Sequence, residues 1–149
     1  MIQLLKHQDF EVARQIRAVF QVSYAVEADL LQAVDFPPLK RKVPEFLKCE
    51  TDFYGFSIEG LIAAVIEIKT DMKAIHIQSL VVDPYYFRRG IANKLMDFVL
   101  EKYEALLFTV ETGVLNIPAI QLYTKLGFVE TQQWDTDHGV RKVRFEKHI

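Results

Sequence analysis

From Asp9 to Leu31 the apolar positions recur at the spacing of one helix face, Val12, Ile16, Val19 and Phe20, with Ser23 beside them. Residues three and four apart share a side of a helix, and Asp9 stands where a side-chain oxygen caps a first turn. The pattern then breaks. Pro37, Pro38 and the basic run Lys40, Arg41 and Lys42 make Val34 to Val43 an irregular connection. A short helix after Pro44 would turn Phe46 and Leu47 inward.

The middle of the chain changes period. Phe53 to Ile58 and Leu61 to Thr70 are β-rich runs split by Glu59-Gly60, a two-residue hairpin signal. Asp71-Met72-Lys73 turns the chain into a third run, Ala74 to Val82, which stops at Asp83-Pro84 because proline cannot donate to a ladder. Three adjacent runs with tight turns predict an antiparallel meander. Helical spacing returns over Arg89 to Tyr103, through Ile91, Leu95, Phe98, Val99 and Lys102. Ala105 to Val110 reads as a buried strand, and Pro118 to Leu126 as a helix stopped by Gly127. Phe128 to Trp134 and Val140 to Ile149 close the chain around Thr136-Asp137-His138-Gly139. The order β-α-α-β-β-β-α-β-α-β-β predicts an α+β fold on one mixed, mostly antiparallel sheet.

Composition narrows the classes. A chain of 149 residues fits one domain, residues 1–149. It is 50% hydrophobic and 26% charged, as soluble globular proteins are. A net charge of -2 argues against a nucleic-acid partner. The apolar run Leu61 to Ile66 is broken by Glu67 and is too short for a bilayer. The polar turn after His7 leaves no signal-peptide stretch. Cys49 is the one cysteine, which excludes an internal disulfide and a multi-cysteine metal site. These features predict a cytoplasmic protein without a metal and without nucleic-acid or membrane partners. The two closing strands end the chain, and edge strands invite pairing. Lys142, Arg144 and Lys147 would guard that edge, and a homodimer is the expected assembly.

Chemistry first appears after the third strand, where Arg88, Arg89 and Gly90 precede Ile91 and Ala92. A helix N-terminus offers unpaired N–H groups and a positive dipole end, which favour phosphate. Gly90 would let the backbone approach a ligand closely, and two arginines could meet a pyrophosphate. A plain strand-to-helix turn with solvated arginines fits these residues equally well. There is no G-x-G-x-x-G and no Gly-Lys-Ser/Thr, so the dinucleotide and nucleoside-triphosphate loops fall away. In the second segment, Asn116 is a natural N-cap with Pro118 in the first turn. Ala119, Leu122, Tyr123 and Leu126 share a face, as they would in any capped amphipathic helix.

Together the two segments resemble the GNAT superfamily of acetyl-CoA-dependent N-acetyltransferases. The family's pyrophosphate loop, Gln/Arg-x-x-Gly-x-Gly/Ala, falls on Phe87 to Ala92, with Phe87 in place of the usual first residue. Its second signature falls without a gap on Asn116, Ala119, Leu122, Tyr123, Lys125, Gly127 and Phe128. The element order matches the family's fold, an α/β sandwich with helices on both faces of the sheet.

The resemblance implies roles. Leu80, Val81 and Val82 would pair with the pantetheine arm, and Val81 N–H could serve the oxyanion. Arg88, Arg89, Gly90, Ile91 and Ala92 would seat the pyrophosphate, with Asn93 and Lys94 near the same turn. Asn116 would contact the coenzyme, and Tyr123 would be the general acid. A phenol near 10 lies close to a thiol near 8.5, and an ammonium near 10.4 must lose a proton before attack. Glu111, 12 residues before Tyr123, is the spacing of members that acetylate protein N-termini. A solvated strand-end carboxylate is an equal reading of Glu111, and His76, Gln78 and Ser79 lie where other members place their base. Tyr24, Glu27 and Phe36 would bind the acceptor, mixing acid and aromatic groups that suit an amine. The implied reaction is direct acetyl transfer from acetyl-CoA to a primary amine of a small molecule or peptide. A non-catalytic acyl-CoA-binding module carries the same motifs, and an unrelated protein scaffold could carry the glycine turn.

Overall fold

A computed structural model describes residues 1–149. In chain order the elements are β1 Ile2–Leu5, α1 Phe10–Leu31, a 3-10 turn at Pro37–Lys40, α2 Val43–Lys48, β2 Asp52–Ile58, β3 Leu61–Asp71 and β4 Ala74–Val82. A second 3-10 turn, Pro84–Tyr86, leads to α3 Ile91–Lys102, β5 Leu107–Gly113, α4 Ile117–Lys125, β6 Val129–Asp135 and β7 Arg141–His148. The expected order of strands and helices is the observed one.

The strands form one seven-stranded sheet in the order β1-β2-β3-β4-β5-β7-β6. Only β4 and β5 run parallel; the other neighbours are antiparallel. At the β2–β3 hairpin both Glu59 and Gly60 take positive φ, as the tightest two-residue turns require. Ala63 to Ile68 are buried without alternation because both faces of β3 are covered. On one face Ile66, Ile68, Ile75 and Ile77 pack with Leu95, Met96 and Val99 of α3 and with Tyr123 of α4. On the other, Val65 and Val81 pack with Ile16 and Phe20 of α1 and Phe46 of α2. Helices therefore lie on both faces, and α1 is held at its start by Asp9 Oδ1, which accepts from Glu11 N and Val12 N.

One irregularity positions the site. Glu67 pairs with Ser79 and Ile68 with Ile77, so Gln78 is an extra residue in β4. A bulge of one residue reverses the phase of every side chain beyond it. Ile77 faces α3, whereas Val81 faces α1, and Leu80 and Val82 move to the α3 side. The β4–β5 ladder also ends here, at Ile77 and Val110, although the two strands continue to Val82 and Gly113. Past that point they splay apart.

Two expectations need correction. The strand expected over Ala105 to Val110 is Leu107–Gly113, because Glu111, Thr112 and Gly113 keep pairing with Arg144, Val143 and Lys142 of β7. Polar residues continue the strand where its face opens onto a cavity. The closing strands also do not form a common edge. β7 lies between β5 and β6, so Lys142, Arg144 and Lys147 guard no edge, and the open strands are β1 and β6. The edge argument for a homodimer loses those residues. No helix is long and apolar enough to cross a membrane.

Candidate active site

A groove of about 550 Å3 runs along the splayed end of β4 to the start of α3 and α4. Leu80, Val82, Arg88, Gly90, Ile91, Ala92, Asn93, Asn116 and Tyr123 line it, as does Glu27 from α1. Gly90 caps α3 at φ +73 with no side-chain cap. The first N–H groups of α3 thus face the groove without partners from a cap, beside the Arg88 guanidinium, and can take an anion. Asn93 Oδ1 is buried without a partner, while its Nδ2 donates to Asp97 Oδ2 at 2.8 Å. Three residues expected in the groove lie elsewhere. Val81 is buried against α1, Arg89 stacks on Tyr85 and Tyr86, and Lys94 lies over the Phe56 ring.

Strand alternation also reassigns the oxyanion donor. Asp83 N donates to Ala63 O at 2.8 Å, and backbone groups face the same neighbour at every second residue. Val81 N–H therefore points to β3, whereas the amides of Leu80 and Val82 point into the splay. Ser23 Oγ accepts from Val82 N at 3.2 Å. Leu80 N–H is the donor directed into the gap.

Tyr123 is 4% exposed, with its ring between those of Phe128 and Phe145 and its centroid 6.0 Å from each of theirs. Burial first, then the nearby Glu27 and Tyr24, push its hydroxyl far above the ordinary tyrosine value. The close match to a thiol expected from an unperturbed phenol is absent; the hydroxyl is instead held fully protonated.

A second cavity, about 490 Å3, opens on the α1 face of the sheet. Tyr24, Glu27, Phe36, Glu111, Gln78 and Ser79 all line it, from three separate elements (α1, β4 and β5) and the connection after α1. His76 does not; its Nδ1 lies 2.7 Å from Thr109 Oγ1 on the sheet, and burial lowers its pKa. Glu111 is not an isolated strand-end carboxylate. Its Oε2 accepts from Arg144 Nη1 at 3.2 Å, and its Oε1 lies 3.7 Å from Lys142 Nζ.

Glu27 belongs to both cavities. Asn116 Nδ2 donates to Glu27 Oε1 at 2.9 Å and to Thr112 Oγ1 at 3.1 Å, while Asn116 Oδ1 caps α4 by accepting from Ala119 N. Burial pushes the Glu27 carboxyl up to about 7, against the opposing pull of Lys142 and the Asn116 hydrogen bond. Tyr24, beside it, is likewise pushed well above its usual range by burial and then by the Glu27 charge.

Behind Arg41 and Ser79 in the wall of this cavity lies a carboxylate that no sequence motif singles out. Glu67 is 1% exposed and takes two hydrogen bonds from Arg41, at 2.8 and 2.9 Å. Thr51 Oγ1 and Ser79 Oγ also donate to it, at 2.6 and 3.0 Å. The Arg41 guanidinium lies 4.2 Å from the Phe46 ring centroid. The pair pins the connection after α1 over the pocket. Its signal was a lone acid inside the apolar run of β3, which marks a buried and therefore partnered charge.

The comparisons agree with this architecture. Residues 37–149 match the model of the acetyltransferase (GNAT) domain. The ribosomal-protein-S18-alanine N-acetyltransferase from Escherichia coli is similar in fold, with a TM-score of 0.81 at 20% identity over 100% of this chain and 93% of that one. The PaiA N-acetyltransferase from Thermoplasma acidophilum, in complex with coenzyme A, has a TM-score of 0.76 at 17% identity, covering 100% of this chain and 99% of that one. In sequence, the UPF0157 protein YqkA of Bacillus subtilis (strain 168) is 34% identical over 141 residues, 94% of this chain and 41% of that protein. The chain thus spans less than half the length of this curated relative. It belongs to the GNAT acetyltransferase family.

Proposed function

We propose that the chain transfers an acetyl group from acetyl-CoA directly to a primary amine of a small molecule or peptide. The observation that carries this reading is the meeting of two cavities at the β4–β5 splay, one beside a helix N-terminus and the other lined by acids and aromatic rings. The α3 amides and Arg88 hold the pyrophosphate, and Leu80 and Val82 flank the pantetheine arm. Leu80 N–H stabilises the oxyanion, and Tyr123 protonates the departing thiolate. Tyr24, Glu27 and Phe36 receive the amine, with Glu111 in the wall beside them. A groove of this kind also suits the coenzyme A bound by the Thermoplasma structure, and the Escherichia coli neighbour's acceptor is a protein alanine, which keeps a peptide N-terminus among the amines.

The test is thiol release from acetyl-CoA across polyamines, aminoglycosides, amino acids and alanine-ended peptides, beside melting curves with acetyl-CoA. Amine-dependent release together with a raised Tm is expected. A raised Tm without release from any amine would leave a non-catalytic acyl-CoA-binding module; no rise would remove the coenzyme altogether.

A further inference from the structure

The two carboxylates nearest the reacting centre differ in what their oxygens already do. Both oxygens of Glu111 face cations, Arg144 and Lys142. Glu27 has one hydrogen-bond partner, Asn116 Nδ2 on Oε1, and forms no ion pair, so Oε2 keeps its lone pairs. Asn116 is itself fixed by Thr112 and by capping α4, which fixes the carboxylate plane in turn. Glu27 lines both cavities, so its carboxyl stands between the acceptor side and the groove.

Resting on the acetyl-transfer reading, we infer that Glu27 is the general base of the reaction, taking the proton from the acceptor ammonium at Oε2. The amine nitrogen then bonds to the thioester carbonyl carbon as the C–S bond breaks. Tyr123 gives its proton to the sulfur, and the phenolate recovers one from the new amide nitrogen. Glu27 releases the first proton to solvent through the acceptor cavity, so each turnover yields amide, free thiol and one proton. The charged and titratable groups around Glu27 are Tyr24 on α1, Tyr123 on α4, Lys142 on β7 and Glu111 on β5. Burial outweighs Lys142 there and leaves the carboxyl titrating near 7, where a base works best at neutral pH.

The experiment compares wild type, Glu27→Gln and Glu111→Gln with whichever amine of the panel gives the fastest thiol release. For wild type, kcat/KM should rise with pH through about 7 as Glu27 ionises. Glu27→Gln should lose roughly 10²–10⁴-fold and the inflection with it, while the coenzyme-dependent rise in Tm persists. Glu111→Gln should lose less than tenfold and keep the inflection. The folded-state pKa of Glu27 is raised, so its ionisation costs stability at high pH and less as pH falls from about 7 towards the usual carboxylate range. Glu27→Gln should therefore melt above wild type at pH 8, with the gap closing on acidification. If Glu27→Gln fails to fold, Glu27→Asp, with its carboxylate withdrawn by one methylene, should lose activity and keep the inflection. Wild-type kcat/KM and an intact inflection in Glu27→Gln, or wild-type activity in Glu27→Asp, would overturn the inference and leave acetyl transfer standing. No release from any amine overturns the transfer reading itself, and the base with it.

Discussion

In the groove proposed for the coenzyme the polar chemistry is largely backbone: the opening amides of α3 behind Gly90 and the Leu80 amide freed by the splay. In the acceptor cavity it is side chains, and most are already engaged: Arg41 by Glu67, Glu111 by Arg144 and Lys142, Lys40 by Asp35. Glu27 is shared by both and has an oxygen to spare. Backbone donors serve any chain whose turn has the right shape, so the groove suits one common ligand. Paired side chains rigidify a pocket and leave few free charges, so acceptor selectivity rests on shape and on those few. The two halves should therefore fail separately.

The largest effect should come from the groove, at its proposed general acid. Tyr123→Phe keeps the ring between Phe128 and Phe145 and removes only the hydroxyl. It should lower kcat by roughly 10²–10⁴-fold and change acetyl-CoA affinity by less than twofold, as read from steady-state rates and calorimetry. An unchanged kcat, with chemistry shown to be rate-limiting, would remove Tyr123 from the mechanism and give the proton to water.

Arg41→Met breaks the acceptor side alone. It leaves the Glu67 carboxylate 1% exposed with only Thr51 and Ser79, and orphaning a buried charge costs about 3–5 kcal/mol. Denaturant unfolding should show that loss, and the acceptor KM should rise because the Pro37–Lys40 turn is no longer pinned. Acetyl-CoA affinity below the melting transition should not move. Adding Glu67→Met should recover most of the stability, since an apolar pair can replace a buried ion pair. An equal loss of coenzyme affinity would mean that the halves are one unit.

How far each half was legible follows from the same contrast. The groove's determinants lie in two short segments, Phe87 to Ala92 and Asn116 to Phe128, where one stretch of chain sets both shape and donors. Glycine, the capping asparagine and the tyrosine could be read locally. The acceptor cavity gathers α1, α2, β4, β5, β7 and the connection after α1, and no local pattern encodes which charges meet. The spacing to Tyr123 points to Glu111 as the base and leaves Glu27 a binding residue, and the sequence does not show that Arg144 and Lys142 face Glu111. The bulge at Gln78 is equally hidden in the sequence, and it turns Val81 away from the groove that the resemblance assigns to it. The element order, by contrast, followed from period and turn chemistry alone.

Gly90→Val acts on the groove alone, and more mildly. A Cβ at Gly90 meets nothing within 4 Å in the chain, so the space it fills is the ligand's. Holding a β-branched residue at φ +73 costs roughly 1–2 kcal/mol in the left-handed region. That strain is present with and without ligand and so lowers stability; coenzyme affinity should fall by about tenfold or more, roughly 1.4 kcal/mol, because the valine methyls stand where the phosphates would reach the α3 amides. Gly90→Asn, which tolerates that region, should fall less. Wild-type affinity in a folded Gly90→Val protein would show that the phosphates do not lie on this turn.

The smallest effect should come from the one place where the loop departs from the family pattern. Phe87, 43% exposed, stands where the motif has Gln or Arg. Its N–H is already committed to Pro84 O at 3.1 Å, closing the Pro84–Tyr86 turn. A side chain at this position can add contacts to the groove, but it does not shape the α3 amides that follow Gly90. If backbone carries the phosphates, Phe87→Gln should shift acetyl-CoA affinity by less than twofold, within the range of ordinary surface changes of about 0.5 kcal/mol. A gain of tenfold would mean that the missing side-chain contact matters and that Arg88 does not replace it. A loss of tenfold would make the Phe87 ring a wall for the coenzyme and the groove less a backbone device than its amides suggest.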